Sequence, residues 1–305
     1  MKRLLLTGGQ GFVGSTFARV IARDADLAGW HLLETPPELD VRDAAAVFAM
    51  VQAASAHAVV HLAAQSFVPE SFRDPASTIE VNVLGTLHLL QALRGTGFSG
   101  RMLYVGTGDV YGRVPEDALP VAETRLPAPR NPYAVSKLAA EALCQQWSLT
   151  ESVDVVLARP FNHIGWGQSD RFVVSDFARQ VAAIRRRARK PVVAVGDIDI
   201  TRDFTDVDDV VRAYFSLLEA GATGEVYNVC SGREQSIRGV LERLAELAGV
   251  EITVREDPAR LRKSEQRRIR GDASKIRRTT GWAAVTPLDV SLETMLEYWE
   301  HEDPR

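Results

Sequence analysis

Cysteine is scarce in this chain. Its two residues, Cys144 and Cys230, stand far apart among apolar neighbours, with neither a CxxC pair nor Cys/His ligand spacing. That excludes a disulfide framework and a cysteine-based zinc site, and it fits two small buried residues in a reducing cytoplasm. No apolar run reaches the length of a membrane span, and Met1-Lys2-Arg3 leads into too few apolar residues for a signal-peptide core. A cytoplasmic location with no membrane partner is expected. Neither sign of charge dominates: 36 Lys and Arg stand against 40 Asp and Glu, a net charge of -4, so nothing marks a nucleic-acid partner. The one local basic run, Arg185 to Lys190, reads as the solvated end of a helix, where positive charge suits the dipole. Linkers, internal repeats and low-complexity tracts are also missing.

What the chain has is length and alternation. With 305 residues, 46% of them hydrophobic, it can bury a full core. Short β-rich runs alternate with helical patterns over the first half: Leu4 to Thr7, Phe12 to Arg23, Trp30 to Glu34, Ala44 to Ala54, Ala58 to Leu62, Ile79 to Leu93, Met102 to Val105, Tyr133 to Trp147 and Val153 to Leu157. The runs lack polar alternation, as strands covered on both faces require. This predicts an α/β protein, a Rossmann-type doubly wound parallel sheet. Later segments predict a smaller C-terminal α/β lobe: helices near Phe172 to Arg187, Asp206 to Leu218 and Ile237 to Ala248, with strands at Pro191 to Val195, Glu225 to Val229 and Ile252 to Arg255. The expected division is 1–161, with 201–229 returning to that first domain, and 162–200 with 230–305 as the second lobe.

The stretch TGGQGFVG, Thr7 to Gly14, lies between the first strand and the first helix. Gly8 permits a tight turn, Gly11 lets a pyrophosphate approach the backbone, and Gly14 lets the helix pack on the strand, with Phe12 and Val13 completing the loop. The spacing is GxxGxxG, and a turn that serves packing alone is the alternative. An acidic residue about 20 positions on should bind the adenosine ribose, and Glu34 fits. No Arg or Lys lies between Arg23 and Arg42, which leans the expected NAD(P)H cofactor toward NADH unless Arg42 folds back. A solvated loop carboxylate is the other reading of Glu34.

Asn131 to Glu141 reads NPYAVSKLAAE, with Tyr133 and Lys137 one helical turn apart on one face. An ammonium beside a phenol lowers its pKa and can also donate to a nicotinamide ribose, while the phenol protonates a carbonyl oxygen as hydride reaches its carbon. Chance places such pairs on many helices. GTGDVYG, Gly106 to Gly112, adds Thr107 at the carboxyl end of a parallel strand, where such sheets bind ligands. Three donors would then meet around one oxygen.

These motifs resemble the extended short-chain dehydrogenase/reductases that act on nucleotide-activated sugars. The glycine loop, Asp40-Val41-Arg42-Asp43, His61-Leu62-Ala63-Ala64, Asn82, Thr107, Tyr133 with Lys137, Arg159-Pro160-Phe161-Asn162 and Arg202 to Val207 match that family's pattern in order. The resemblance implies that Asp40 and Val41 flank the adenine, that Leu62, Ala63 and Ala64 line the phosphate and ribose side, and that Asn82 shapes the same pocket. A cap or turn role for Asn82 is the alternative. It also places His163 on the nicotinamide side. Ser66, Asn162, Arg179, Arg202, Arg262 and Glu265 would face the substrate, Arg202 and Arg262 as planar forks for a diphosphate and Arg179 toward guanine, with a helix-face role for Arg179 as the alternative.

Within the family, Phe161 to Val173 and Val226 to Gly232 look like the GDP-4-keto-6-deoxy-D-mannose reductases, which make GDP-D-rhamnose. Trp166 and Lys263 stand where those usually carry proline. Sugar 4,6-dehydratases carry a glutamate two residues after the threonine, often beside a second polar residue; here those places hold Asp109 and Gly108. The elimination machinery is therefore degraded while the reduction machinery is intact, and Asp109 is a catalytic candidate only if the backbone shifts. The expectation is NAD(P)H-dependent reduction of a GDP-linked 4-keto-6-deoxyhexose. The rivals are a 4,6-dehydratase or 4-epimerase, a 6-deoxytalose-forming reductase, and a cofactor-binding regulator. A homodimer through the helices around 79–93 and 133–147 is implied by resemblance alone.

Overall fold

Leu4, Leu5 and Leu6 carry no polar alternation because both faces of their strand are covered. In the computed structural model, which describes residues 1–33, 35–36, 38–260 and 266–302, the strands are β1 (Lys2–Thr7), β2 (Trp30–Leu32), β3 (Ala58–His61), β4 (Arg101–Val105), β5 (Asp154–Pro160) and β6 (Asn162–Ile164). There follow β7 (Val192–Val195), β8 (Thr201–Asp206), β9 (Val226–Val229), β10 (Glu234–Ser236) and β11 (Thr253–Glu256). The main sheet is parallel throughout, in the order β2-β1-β3-β4-β5-β9. Its order reverses between β1 and β3, so the crevice at their carboxyl ends is where a ligand belongs.

Helices α1 (Phe12–Arg23), α2 (Ala44–Ala54), α3 (Val68–Arg73), α4 (Pro75–Ile79), α5 (Gly85–Gly95) and α6 (Pro132–Thr150) precede α7 (Val173–Arg185), α8 (Val207–Ala220), α9 (Ile237–Ala248), α10 (Ser274–Thr280) and α11 (Leu288–His301). The strand period divides β1 between two cores. Leu4 and Leu6 join Phe17, Val20, Val210 and Tyr214 under α1 and α8. Leu5 joins Val47, Leu89 and Ala140 under α2, α5 and α6. A third core, around Phe177, Val181, Leu241 and Leu292, gathers α7, α9 and α11. Those helices accompany the sheet β10-β8-β6 and the pair β11-β7.

Several expectations change. The second strand ends at Leu32, short of the loop before Asp40. The helix expected over 79–93 is broken by a π-helical turn at Glu80–Leu84, which carries Asn82, and resumes as α5. The sheet β10-β8-β6 and helix α11 escape the periodicity reading because the strands are short and polar. Apart from Phe204, β8 is made of Thr, Arg and Asp, and buried Asp203 accepts from the backbone N–H groups of Ser231, Gly232 and Gly271 at 2.9 to 3.1 Å. The basic run has a partner the sequence did not disclose, since Arg186 Nη1 donates to the carbonyls of Trp299 and Glu300, at 2.9 Å each, and caps the end of α11. No described helix is long and apolar enough to cross a membrane.

Candidate active site

The glycine loop closes between β1 and α1 on steric grounds. Gly8 has φ +73, and a Cβ there would stand 2.7 Å from the Ala63 nitrogen; a Cβ on Gly14 would stand 2.5 Å from the Gly8 carbonyl oxygen. At Gly11 the nearest atom is 3.3 Å away, so openness above the loop is the better reason for that residue. No side chain caps α1 and no acidic residue sits in its first turn, so the N–H groups of its first turn and its dipole are left for an anion. A nicotinamide dinucleotide's pyrophosphate fits this cradle. Beside it lies a cavity of about 420 Å³ lined by Asp40, Val41, Arg42, Ala63 and Ala64 among others. Asp40 holds Arg42 through both carboxylate oxygens at 2.6 to 3.0 Å, which keeps the Asp40 carboxyl below its ordinary range. Val41 is buried, and its carbonyl accepts from His88 Nδ1 at 3.0 Å. Leu62 is half-buried beside this wall. Glu34 lies outside the described residues.

His61, met in the sequence only as part of a motif, organises the floor. Thr86 donates to the Asn82 carbonyl at 2.7 Å, so its oxygen receives His61 Nε2–H at 3.0 Å, and Nδ1 then accepts from Thr7 at 2.6 Å. The Thr7 oxygen in turn accepts from the Ala63 nitrogen at 3.2 Å. Burial first, and then the charge of Lys137, lower the His61 pKa to about 3, so the ring stays neutral and this tautomer persists. Asn82 is neither a cap nor a turn residue. Its side chain bonds the Gln65 backbone at 2.8 and 3.0 Å and donates to Ser136 at 2.8 Å, while Ser136 donates to the Tyr133 carbonyl at 2.7 Å. One amide therefore ties the loop after β3 to the start of α6.

Asn131 caps α6 by accepting from Ala134 N–H at 2.7 Å, and this fixes where Tyr133 emerges. Thr107, two residues past β4, accepts from the Asp109 backbone at 3.2 Å, and its hydroxyl lies near enough to that of Tyr133 to act on the phenol's pKa. Lys137 is buried, with Nζ 5.0 Å from the Tyr104 ring centroid, and desolvation lowers its pKa to about 8. The structure thus brings Thr107 beside Tyr133, with Lys137 one turn on along α6. One expectation is reversed: desolvation, followed by the negative charge of Asp109, raises the Tyr133 pKa, with the Thr107 hydrogen bond opposing. A phenol held neutral is a proton donor in waiting. Asp109 keeps contact with solvent, yet crowding on its other sides raises its pKa while Arg202 opposes. Solvent contact combined with dense surroundings is what a cleft wall provides.

On the far side of the cleft, β6 and β8 run parallel with His163 opposite Thr205. The His163 ring stacks on Phe12 of the glycine loop at a centroid distance of 6.0 Å, and its Nδ1 donates to the Phe161 carbonyl at 3.1 Å. Desolvation lowers its pKa, so it remains neutral. Arg202 on β8 donates to the carbonyls of Thr201 at 2.7 Å and Gln266 at 3.2 Å. Asn162 and Ser66 are exposed. Arg179 instead serves its own lobe, bonding Asp176 at 2.7 Å with Asp170 at 3.2 Å. Arg262 and Glu265 lie outside the described residues, as does Lys263.

A family model for GDP-mannose 4,6 dehydratase matches residues 36–295. The chain belongs to that family. Among curated members, it is 50% identical to a GDP-6-deoxy-D-mannose reductase of Pseudomonas aeruginosa over 299 residues, 98% of this chain and 97% of that one. It is 27% identical to a GDP-6-deoxy-D-talose 4-dehydrogenase of Aggregatibacter actinomycetemcomitans, over 92% of this chain and 91% of the other. Among solved structures, RMD from Pseudomonas aeruginosa complexed with NADPH superposes with a TM-score of 0.94 at 48% identity, covering 98% of this chain and 99% of that chain.

For a member of the GDP-mannose 4,6 dehydratase family, two local features stand out. A Cβ on Gly108 would lie 3.1 Å from the Phe161 ring, so no side chain fits there unless that ring moves. Trp166 turns edge-on to Tyr298 of α11 at 5.4 Å, in a bend opened by Gly167 with φ +83. Arg268, in the charged stretch 266–270, has partners that its local sequence does not disclose. It joins Glu234 at 2.7 and 2.8 Å to Glu116 at 2.9 Å, tying β10 to the loop before α6. The signal was its place in a charged run, which looks the same whether or not a partner waits.

Proposed function

We propose that this chain is an NAD(P)H-dependent oxidoreductase that reduces the C4 ketone of GDP-4-keto-6-deoxy-D-mannose to GDP-D-rhamnose. The observation that carries the reading is Thr107 lying beside Tyr133, with Lys137 one turn on, and a Gly108 packed so closely against the Phe161 ring that a second elimination acid there would have to push it aside. Half-identity over the full chain to a curated GDP-6-deoxy-D-mannose reductase supports the substrate. The solved relative with NADPH supports a nicotinamide dinucleotide, for which Gly8, Gly11, Phe12, Val13 and Gly14 form the pyrophosphate cradle. Asp40, Val41, Leu62, Ala63 and Ala64 would take the adenosine end. The first 161 residues with 201–229 form the cofactor side, and 162–200 with 230–305 the sugar-nucleotide side.

When bound, the reduced nicotinamide supplies hydride to the ketone carbon. Tyr133, kept protonated by its surroundings, delivers a proton to the C4 oxygen, and Thr107 donates a hydrogen bond to that oxygen. Lys137 holds the ribose and stabilises the phenolate left behind. His163, neutral against Phe12, packs beside the nicotinamide. Arg202 presents its guanidinium to the diphosphate, with Ser66 and Asn162 toward the sugar and phosphates, and Arg262 and Glu265 complete the substrate set as candidates by motif. We further propose a cytoplasmic homodimer. Exposed Ile79, Leu84 and Val135, each 43 to 46% accessible at the α4 to α6 face, support it. Reduction with cofactor carrying deuterium at both C4 positions of the nicotinamide, followed by proton NMR, tests the reaction. Deuterium at C4 of a GDP-rhamnose product is expected; deuterium in GDP-6-deoxytalose, or none in any product, would refute it.

A further inference from the structure

Behind the catalytic cluster lies an ion pair that the proposed chemistry does not use. Glu141, one turn beyond Lys137 on α6, is 2% exposed, and Arg159 on β5 is 5% exposed. Arg159 Nε donates to Oε2 at 2.9 Å and Nη2 to Oε1 at 2.6 Å, a planar two-bond fork. Its guanidinium also stands 4.9 Å from the centroid of Tyr111, whose hydroxyl donates to Asn228 at 2.7 Å. Glu141 touches the third element as well. A Cβ on Gly106, next to Thr107, would lie 3.4 Å from Glu141 Oε2 and 3.0 Å from the Ala158 carbonyl oxygen. The carboxylate thus lies against the end of β4, on the helix of Tyr133 and Lys137, under a guanidinium from β5.

Two charges withdrawn from water gain about as much from each other as they lose, so stability is a weak reason for such a pair. Fixing one geometry is a better reason. We propose that Glu141 and Arg159 are positioning residues for the reduction, locking α6 against the end of β4 so that Tyr133 and Lys137 meet Thr107, with the Glu141 carboxylate supporting the Lys137 ammonium. The inference rests on the reductase reading above. The charged and titratable groups that face Lys137 are Tyr104 from β4, His61 from β3, and Glu141 and Cys144 from its own helix, while Arg159 from β5 reaches Glu141 and Asp109, from the turn after Thr107, acts on Tyr133. Of these, Cys144 and Glu141 oppose the desolvation that lowers Lys137. Burial pushes the Cys144 thiol up, and Glu141 is the carboxylate of the two that the Arg159 fork holds.

The test compares the double variant Glu141→Gln/Arg159→Met, which leaves neither charge unpaired, with Arg159→Lys, which keeps the charge and loses the fork. Thermal melting, the pH dependence of NADPH binding by fluorescence, and kcat and kcat/KM across pH are read on each. The double variant is expected to melt cooperatively, with kcat at least about tenfold down. Its alkaline limbs, in binding and in kcat/KM, should lie about one pH unit lower. Arg159→Lys should lower kcat and leave the limbs in place. Wild-type kcat and limbs in the double variant overturn the inference, as does a kcat loss with unmoved limbs, which assigns the pair a structural role only. Should the double variant not fold, unchanged kcat in Arg159→Lys overturns it. Absence of turnover in the wild type sinks the reductase reading instead, and the cofactor-binding limb still decides the role of the pair.

Discussion

The Phe161 ring lies over Gly108, so close that a Cβ added to the glycine would stand 3.1 Å from it. Phe161 is itself buried beside Tyr111, Val121 and Cys230, and it has little room to retreat. Gly108→Asp should therefore cost about 1–3 kcal/mol through overpacking and should confer no water elimination from GDP-mannose. Thermal melting and a keto-sugar assay check both parts. A variant of unchanged stability that eliminates water would show the ring to be no barrier.

Tyr133→Phe removes the proton donor and little else, since the hydrogen bonds that set the start of α6 run through the Asn131 side chain and the Tyr133 carbonyl. Turnover should fall about 10²–10⁴-fold, with NADPH affinity changed less than about threefold. Steady-state kinetics and fluorescence titration measure the two. Retained turnover would remove Tyr133 from the mechanism.

Lys137 has its pKa lowered to about 8 by desolvation. Above that pH the free enzyme loses the ammonium, so kcat/KM should fall on the alkaline side with a limb near 8. Lys137→Met should have low activity and no such limb. A wild-type profile flat to pH about 10, the unperturbed lysine range, would contradict the geometry.

His61 carries the opposite consequence. Its folded pKa is depressed to about 3, while the unfolded chain titrates at the ordinary value of 6.5. Its contribution to stability is fully present above 6.5 and drains away as pH falls from 6.5 toward 3, at roughly 1.4 kcal/mol per unit. His61→Leu, less stable at neutral pH, should show a shallower loss of stability between those limits in urea melts. Equal slopes in the two proteins would mean that His61 does not titrate this way.

Much of this was legible in the sequence because the relevant physics is local. Gly8 and Gly14 are set by close approach of backbone, and Tyr133 with Lys137 by one helical turn. The apolar runs of β1, β3 and β4 announce burial on both faces. What escaped reading depends on partners far along the chain. Asp203 draws together segments near 231 and 271, Arg268 joins Glu116 to Glu234, and Phe161 crowds any side chain at position 108. The Tyr133 pKa was misjudged for the same reason. Spacing announces an ammonium one turn away but not the burial and the Asp109 charge that raise the phenol's pKa.

The most direct measurement follows the absorbance of reduced nicotinamide in two reactions, one with GDP-4-keto-6-deoxy-D-mannose made by a separate dehydratase and one with GDP-mannose alone. The account predicts consumption matched to new GDP-D-rhamnose in the first and no change in the second. Conversion of GDP-mannose to the keto sugar, with no net consumption of cofactor in either, would contradict it and make Asp109 an elimination base.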